Sequence, residues 1–292
     1  MIMDGRAAMA GMNRRYAAWL GLAVLALCGS GGCATTRHIR AAQDSFNQAA
    51  AEENRLFAAG LSTEVGLLSQ SSAAGDYHIA LALLDRELDE NEEALRRDRL
   101  YGTALMLKAL ALWRLADLEG LNEPQLNDET ATGEEVLAAS GAPADDELVA
   151  TLARLRAEME AGRITLGERD RVLLVALPGL RDHDRGLRAP DYPTARRFFQ
   201  SALELMDHSL EVESTPKQHP VRVYIRLAEL STCRAWQSAA FALLPLREAE
   251  EETNERVLPR AEEILAELES LAQKDSRLRE QIDELKLRLG LS

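Results

Sequence analysis

From Arg37 to the end of the chain, apolar residues recur at steps of three and four, and this spacing constrains the fold more than anything else in the sequence. In "RHIRAAQDSFNQAAAEENRLFAAG" (Arg37–Gly60) the stripe is Ile39, Ala42, Phe46, Ala49, Glu53 and Leu56, with Gly60 at the C-cap position. "GDYHIALALLDRELDENEEAL" (Gly75–Leu95) repeats it through Tyr77, Ala80, Leu84 and Leu88. "GTALMLKALALWRLADLE" (Gly102–Glu119) is apolar on nearly every face, which predicts a helix covered by neighbours on two sides. Tyr192–Leu210 is strongly amphipathic. Pro220–Leu244 starts with proline in its first turn and carries Val221, Tyr224, Ile225, Ala228, Ala235, Ala239 and Leu243 on one face. Helices over Thr253–Gln273 and Ser276–Leu289 close the chain, the last with Leu278, Ile282, Leu285 and Leu289 together. The expected fold class is therefore all-α, built from stacked antiparallel helix hairpins as a solenoid or an irregular bundle.

Two stretches depart from this rhythm. Residues 121–147 contain Pro, Gly and Asn breakers, and no Lys or Arg falls between Arg114 and Arg154. They read as a mobile acidic insertion with a short helix at Gly133–Ala139, and their carboxylates do not follow a calcium-loop spacing. "RVLLVALPGL" (Arg171–Leu180) reads as a helix kinked or ended by Pro178, and "RDHDRG" (Arg181–Gly186) after it as a solvated turn.

The other constraint lies at the start. "YAAWLGLAVLAL" (Tyr16–Leu27) is too short for the ~20 residues of a membrane-spanning helix. It follows Arg14-Arg15 and opens into small residues, as a secretory signal does. Within "LALCGSGGCATTR" the sequence Ser30-Gly31-Gly32-Cys33 resembles the lipobox of bacterial lipoproteins, although Ser30 stands where that family usually has an aliphatic residue. The resemblance implies a signal peptide over residues 1–32 and diacylation of Cys33; because the stretch from Met12 to Cys33 is already a signal of ordinary length, translation is expected to begin at Met9 or Met12. A lipidated N-terminus and short tether over 33–36 would follow, then one helical domain over 37–292. In the enteric version of that family an Asp after the cysteine retains the protein in the inner membrane, so with Ala34 there the resemblance implies the outer membrane, the protein facing the periplasm. The alternative for this segment is a plain secretory signal or a buried N-terminal helix.

Removing Arg6, Arg14, Arg15 and Asp4 with the signal takes the net charge from −14 to −16. So acidic a chain is repelled by nucleic acid, and none is expected as a partner. Once Cys33 is acylated, Cys233 is the one thiol left, on an apolar helical stretch where a buried, inert role is expected.

Three helices share a further spacing: Ala42-x₃-Phe46-x₂-Ala49, Ala80-x₃-Leu84, and Ala195-x₃-Phe199-x₂-Ala202. The latter two are preceded by Asp76-Tyr77 and Asp191-Tyr192. This resembles the second helix of the tetratricopeptide repeat, and Leu105, Ala109 and Leu112 resemble its first, with Asp117-Leu118 at its turn. The resemblance implies that Tyr77, Ala80, Leu84, Leu105, Ala109, Leu112, Tyr192, Ala195, Phe199 and Ala202 are packing positions between stacked helices. It also implies a wall that binds a partner protein or peptide of the cell envelope.

Catalytic and metal motifs do not stand out. The five histidines are scattered, and Asp182-His183-Asp184 are adjacent, so on a helix they diverge. Trp113 and Trp236 read as core. No enzyme, metal or cofactor is expected. The function expected is that of a lipid-anchored adaptor held to the membrane by its N-terminal lipid; the alternative is an accessory solute-binding lipoprotein of a transport system.

Overall fold

The computed structural model describes residues 34–58, 72–120, 143–212, 219–272 and 276–291, and among them helix is the only regular structure. The fold is all-α. The signal segment, Cys33 and residues 121–142 of the acidic insertion lie outside the described residues. The helices fall into two compact units divided between Gly167 and Glu168, rather than the single domain expected over 37–292, because each set of helices buries its apolar faces within itself.

The first unit holds α1 (Ala34–Ala58), α2 (Ser72–Glu90), α3 (Glu92–Arg97), α4 (Tyr101–Gly120) and α5 (Pro143–Glu160). Each long helix packs on the next: α1 on α2, α2 on α4, α4 on α5. Ala42 and Ala49 are fully buried on α1, and between them the Phe46 ring meets Tyr77 of α2 edge-on, with centroids 5.4 Å apart. α4 is buried at every position from Tyr101 to Leu118 except Thr103 and Lys108, because α2 and α5 cover it from two sides.

Several expected boundaries shift here. α1 begins at Ala34, so residues 34–36 are helix and not a tether. The helix expected over 75–95 breaks at Asn91, whose side-chain amide donates to Glu87 at 3.2 Å. Asp117 and Leu118 are not a turn: Arg114 holds Asp117 at 3.2 Å, Leu118 is buried, and α4 runs on to Gly120. At its far end the acidic insertion gives way to α5 at Pro143, with Asp145 and Asp146 in the first turn, where the helix dipole favours them.

The second unit holds α6 (Glu168–Arg188), α7 (Tyr192–Val212), α8 (Pro220–Leu243), α9 (Leu246–Glu252), a π-helical turn (Thr253–Val257), α10 (Leu258–Leu271) and α11 (Ser276–Leu289). The final pair was expected to start at Thr253. The helix instead starts at Leu246 and passes through the π turn, which buries Thr253 and Val257. α6 and α7 form a hairpin joined by Ala189–Asp191 and pack along their length. Asp191 caps α7 by accepting from the Thr194 amide at 2.8 Å.

α6 continues unbroken through Pro178, and "RDHDRG" is its last part, not a solvated turn. Tertiary packing overrides the local signal. Leu173, Leu177, Leu180 and Asp184 are buried, and the Ser201 hydroxyl of α7 donates to Asp182 at 2.6 Å. Glycine makes this hairpin close: a Cβ on Gly179 would come within 2.9 Å of the Ala202 carbonyl oxygen, and one on Gly186 within 2.6 Å of the Phe199 ring.

Candidate functional site

The densest polar constellation lies in the second unit, where α7, α8 and α10 converge. Arg222, Arg226 and Glu229 recur at steps of four and three along one face of α8, as Arg260, Glu263 and Glu267 do at three and four on α10. Arg226 donates from Nη1 to Asp207 of α7 and to Glu229, each at 2.7 Å, and from Nε to Glu267 at 2.9 Å. Arg260 reaches the other Glu229 oxygen at 3.2 Å and Asp207 at 3.4 Å, and bonds Glu263 at 2.6 Å. Arg222 closes the cluster on Glu267.

Glu229 has no exposed surface. Burial pushes its carboxyl up to about 7 against the pull of Arg226 and Arg260. Asp207 and Glu267 also lose hydration, but their arginines outweigh that loss and hold both below the ordinary carboxylate range. The partners are thus fixed mutually: buried Glu229 and half-buried Asp207 and Glu267 face guanidinium groups that they share.

Beside this cluster is an open depression of about 230 Å³, lined by Gln200, Leu203, Glu204, Asp207, Trp236 and Arg260. Trp236 is buried and donates its indole N–H to the Tyr192 hydroxyl at 2.8 Å. Glu204 is exposed at the rim. The hollow offers one aromatic wall, an arginine already bonded to carboxylates, and a carboxylate facing solvent. It has room for a small polar molecule or one side chain.

The first unit distributes its charge differently. Arg114 and Glu53, both essentially without exposed surface, pair at 2.9 Å, and Asp117 lies on the same guanidinium. Tyr77 is buried beside them, its phenol pushed well above its usual range by burial first and then by the Glu53 charge. Glu158 sits between Arg96 and Arg163, each at 2.9 Å, whose hydrogen bonds hold it at about 2. Lys108 bridges Asp85 and Glu147 at 2.6 Å each. Glu87 is buried with His38 and Asn91 as partners.

The ten expected packing residues divide between the units. Tyr77, Ala80 and Leu84 lie on α2, Leu105, Ala109 and Leu112 on α4, and Tyr192, Ala195, Phe199 and Ala202 on α7; all ten are buried. None of the ten lines the depression. Cys233 is fully buried, and desolvation, then the Glu229 charge, pushes its thiol up to about 12. His183 hydrogen-bonds Thr232 at 2.7 Å inside the helix packing, and Thr232 in turn donates to the Ala228 carbonyl. Among the described residues no group of three or more His, Cys, Asp or Glu could hold a metal ion, and no helix is long and apolar enough to cross a membrane.

Sequence reasoning missed both buried ion clusters, although a signal was there. Glu53 lies on the apolar stripe of α1, and Arg114 sits in the most apolar of the described long helices. A charge on an apolar face calls for an opposite one. Comparison with protein-family models, with curated proteins and with solved structures finds no match for this chain.

Proposed function

We propose that this protein is a lipid-anchored adaptor of the bacterial cell envelope, acylated at Cys33 and holding a partner protein or peptide with its helical units. The observation that carries the reading is Ser30-Gly31-Gly32-Cys33 at the end of the short apolar run Tyr16–Leu27, with helix α1 beginning at Ala34. Two acyl chains on such a cysteine hold firmly, since each buried CH₂ contributes about 0.8 kcal/mol. The ion clusters support a binding role over a catalytic one, because their buried carboxylates are committed to arginines that fix one helix against another. Ala34 beside the cysteine supports an outer-membrane location facing the periplasm, through the lipoprotein resemblance alone.

The test is metabolic labelling with an alkyne fatty acid, followed by membrane fractionation. The native chain should carry the label and sediment with membranes, and Cys33→Ser should lose both. Membrane retention of an unlabelled Cys33→Ser protein would remove the anchor. A second reading, an accessory solute-binding lipoprotein, is favoured by the depression beside Trp236 and would show as a small molecule co-purifying with the chain.

A further inference from the structure

The corner between α8 and α9 carries six consecutive apolar residues, Phe241-Ala242-Leu243-Leu244-Pro245-Leu246. Neighbours on a helix point in different directions, so the core cannot take all of them. The buried face of α8 ends at Ala239 and Ala240. Past it, Phe241 is 46% exposed and Leu246 is 66% exposed, Ala242 and Pro245 are exposed, and Leu243 and Leu244 are half-buried. Leu244 and Pro245 are extended, which breaks the helix and turns the run outward. Four consecutive apolar residues at a surface already exceed what folding needs, and a contiguous patch of this kind marks a contact.

The charge around the corner identifies its occupant. Glu248, Glu250, Glu251 and Glu255 follow on the exposed side of α9 and the π turn, and among the described residues none is held in an ion pair. Of the two arginines in this stretch, Arg256 is engaged with Glu252 and Arg247 is exposed beside Leu246, one positive charge against four carboxylates, so the stretch stays acidic. An anionic lipid surface would be repelled by this row of carboxylates. A second copy meeting the same patch about a two-fold axis would set the row against itself. An apolar pocket edged with lysine or arginine satisfies both the leucines and the carboxylates.

We propose that Phe241–Leu246 is the docking surface for a partner protein that receives it in an apolar pocket with a basic rim. The proposal rests on the adaptor reading and supplies its contact surface.

The experiment places a photoreactive p-benzoyl-phenylalanine at position 246 of the full-length protein in cells, with a second probe at exposed Val149 of the first unit. Irradiation should give one discrete protein adduct from position 246, heavier than the chain and different in mass from its dimer. The joined partner peptide should be bordered by Lys or Arg. The adduct should fall at least about fivefold in a background of Glu248→Lys, Glu250→Lys and Glu251→Lys, and likewise with Phe241→Asp alone, the milder change that leaves α9 intact. An adduct at twice the chain mass, an adduct only to lipid, or one indifferent to both backgrounds overturns the proposal. An adduct from Val149 with none from position 246 overturns this docking surface while leaving an adaptor that binds elsewhere. No protein adduct from either position counts against both.

Discussion

The second helix of each unit carries the same short motif near its start, and the two copies end in different polar surroundings. Asp76-Tyr77-x-x-Ala80 lies on the apolar stripe of α2, and Asp191-Tyr192-x-x-Ala195 begins that of α7; both tyrosines and both alanines are buried. Tyr77 lies against Glu53 and Arg114, one buried ion pair between α1 and α4. Tyr192 instead accepts from Trp236 of α8, and burial, opposed by that bond, raises its phenol well above the usual range. The motif sets where the ring goes, because apolar spacing sets helix contact. What the hydroxyl finds there depends on other helices, α1 and α4 for Tyr77 and α8 for Tyr192, which the motif does not encode. The same contrast extends to charge: in the first unit Glu53, the fully buried carboxylate, has Arg114 as its one ion-pair partner, whereas in the second Glu229 is shared between two arginines that are tied to further carboxylates.

That difference predicts unequal sensitivity. Arg114→Met strands Glu53 as a buried charge and should destabilise the first unit by about 3–5 kcal/mol. Arg226→Met should cost the second unit less, because Glu229 keeps Arg260 at 3.2 Å. Trp113 and Trp236, one in each unit among the described residues, report the two transitions separately in urea when the other and Trp19 are replaced by Phe. Adding Glu53→Leu to Arg114→Met should recover most of the first loss. Equal losses in the two units would break the comparison.

The units should also respond to pH with opposite sign. Glu158 of the first unit is held at about 2, below its unfolded value of 4.5, so its contribution is present above 4.5 and is lost as pH falls toward 2. Glu229 of the second unit is raised to about 7 from 4.5, so the folded state holds its proton more tightly. Its contribution is full below 4.5 and is lost as pH rises through 7, with a slope of at most about 1.4 kcal/mol per pH unit. The other shifted carboxylates of this cluster, Asp207 and Glu267, are lowered and act only in the acid range. Urea midpoints read through Trp236 between pH 4.5 and 7 should therefore decline in the native protein and flatten in Glu229→Gln. A native profile that rises over that interval would show that the arginines dominate and Glu229 is ionised throughout.

Much of the fold is legible in the sequence because most helices here are amphipathic, and amphipathic period is a local property. Ala42-x₃-Phe46-x₂-Ala49 and its counterpart on α7 mark buried faces without knowledge of the partner helix. Where contacts are non-local, legibility stops. Pro178 is a local stop signal, and α6 passes through it because Leu177, Leu180 and Asp184 find burial on the hairpin. The Glu229 cluster draws on α7, α8 and α10, between positions 207 and 267, so no window of sequence contains it. The division at Gly167 follows from which faces meet and has no composition break to announce it.

The smallest effect separates the units by a single methyl group. In an open helix interior, alanine is favoured over glycine by about 0.5–1 kcal/mol, because glycine loses more backbone freedom on folding. Gly75 of α2 has nothing within 4 Å of a Cβ, so Gly75→Ala should stabilise the first unit by about that amount. Gly186 of α6 has the same helical preference and the opposite surroundings. Its Cβ would come within 2.6 Å of Phe199, a ring fixed on one side by its place between Ala195 and Ala202 and on the other by edge contact with His183 at 6.0 Å. Overpacking of this kind costs about 1–3 kcal/mol, so Gly186→Ala should destabilise the second unit by about 1 kcal/mol net of the helical gain. Urea midpoints read through Trp113 for the first and Trp236 for the second should move in opposite directions. A gain at both positions would mean that the ring yields to the methyl group, and that the α6–α7 hairpin is looser than its glycines suggest.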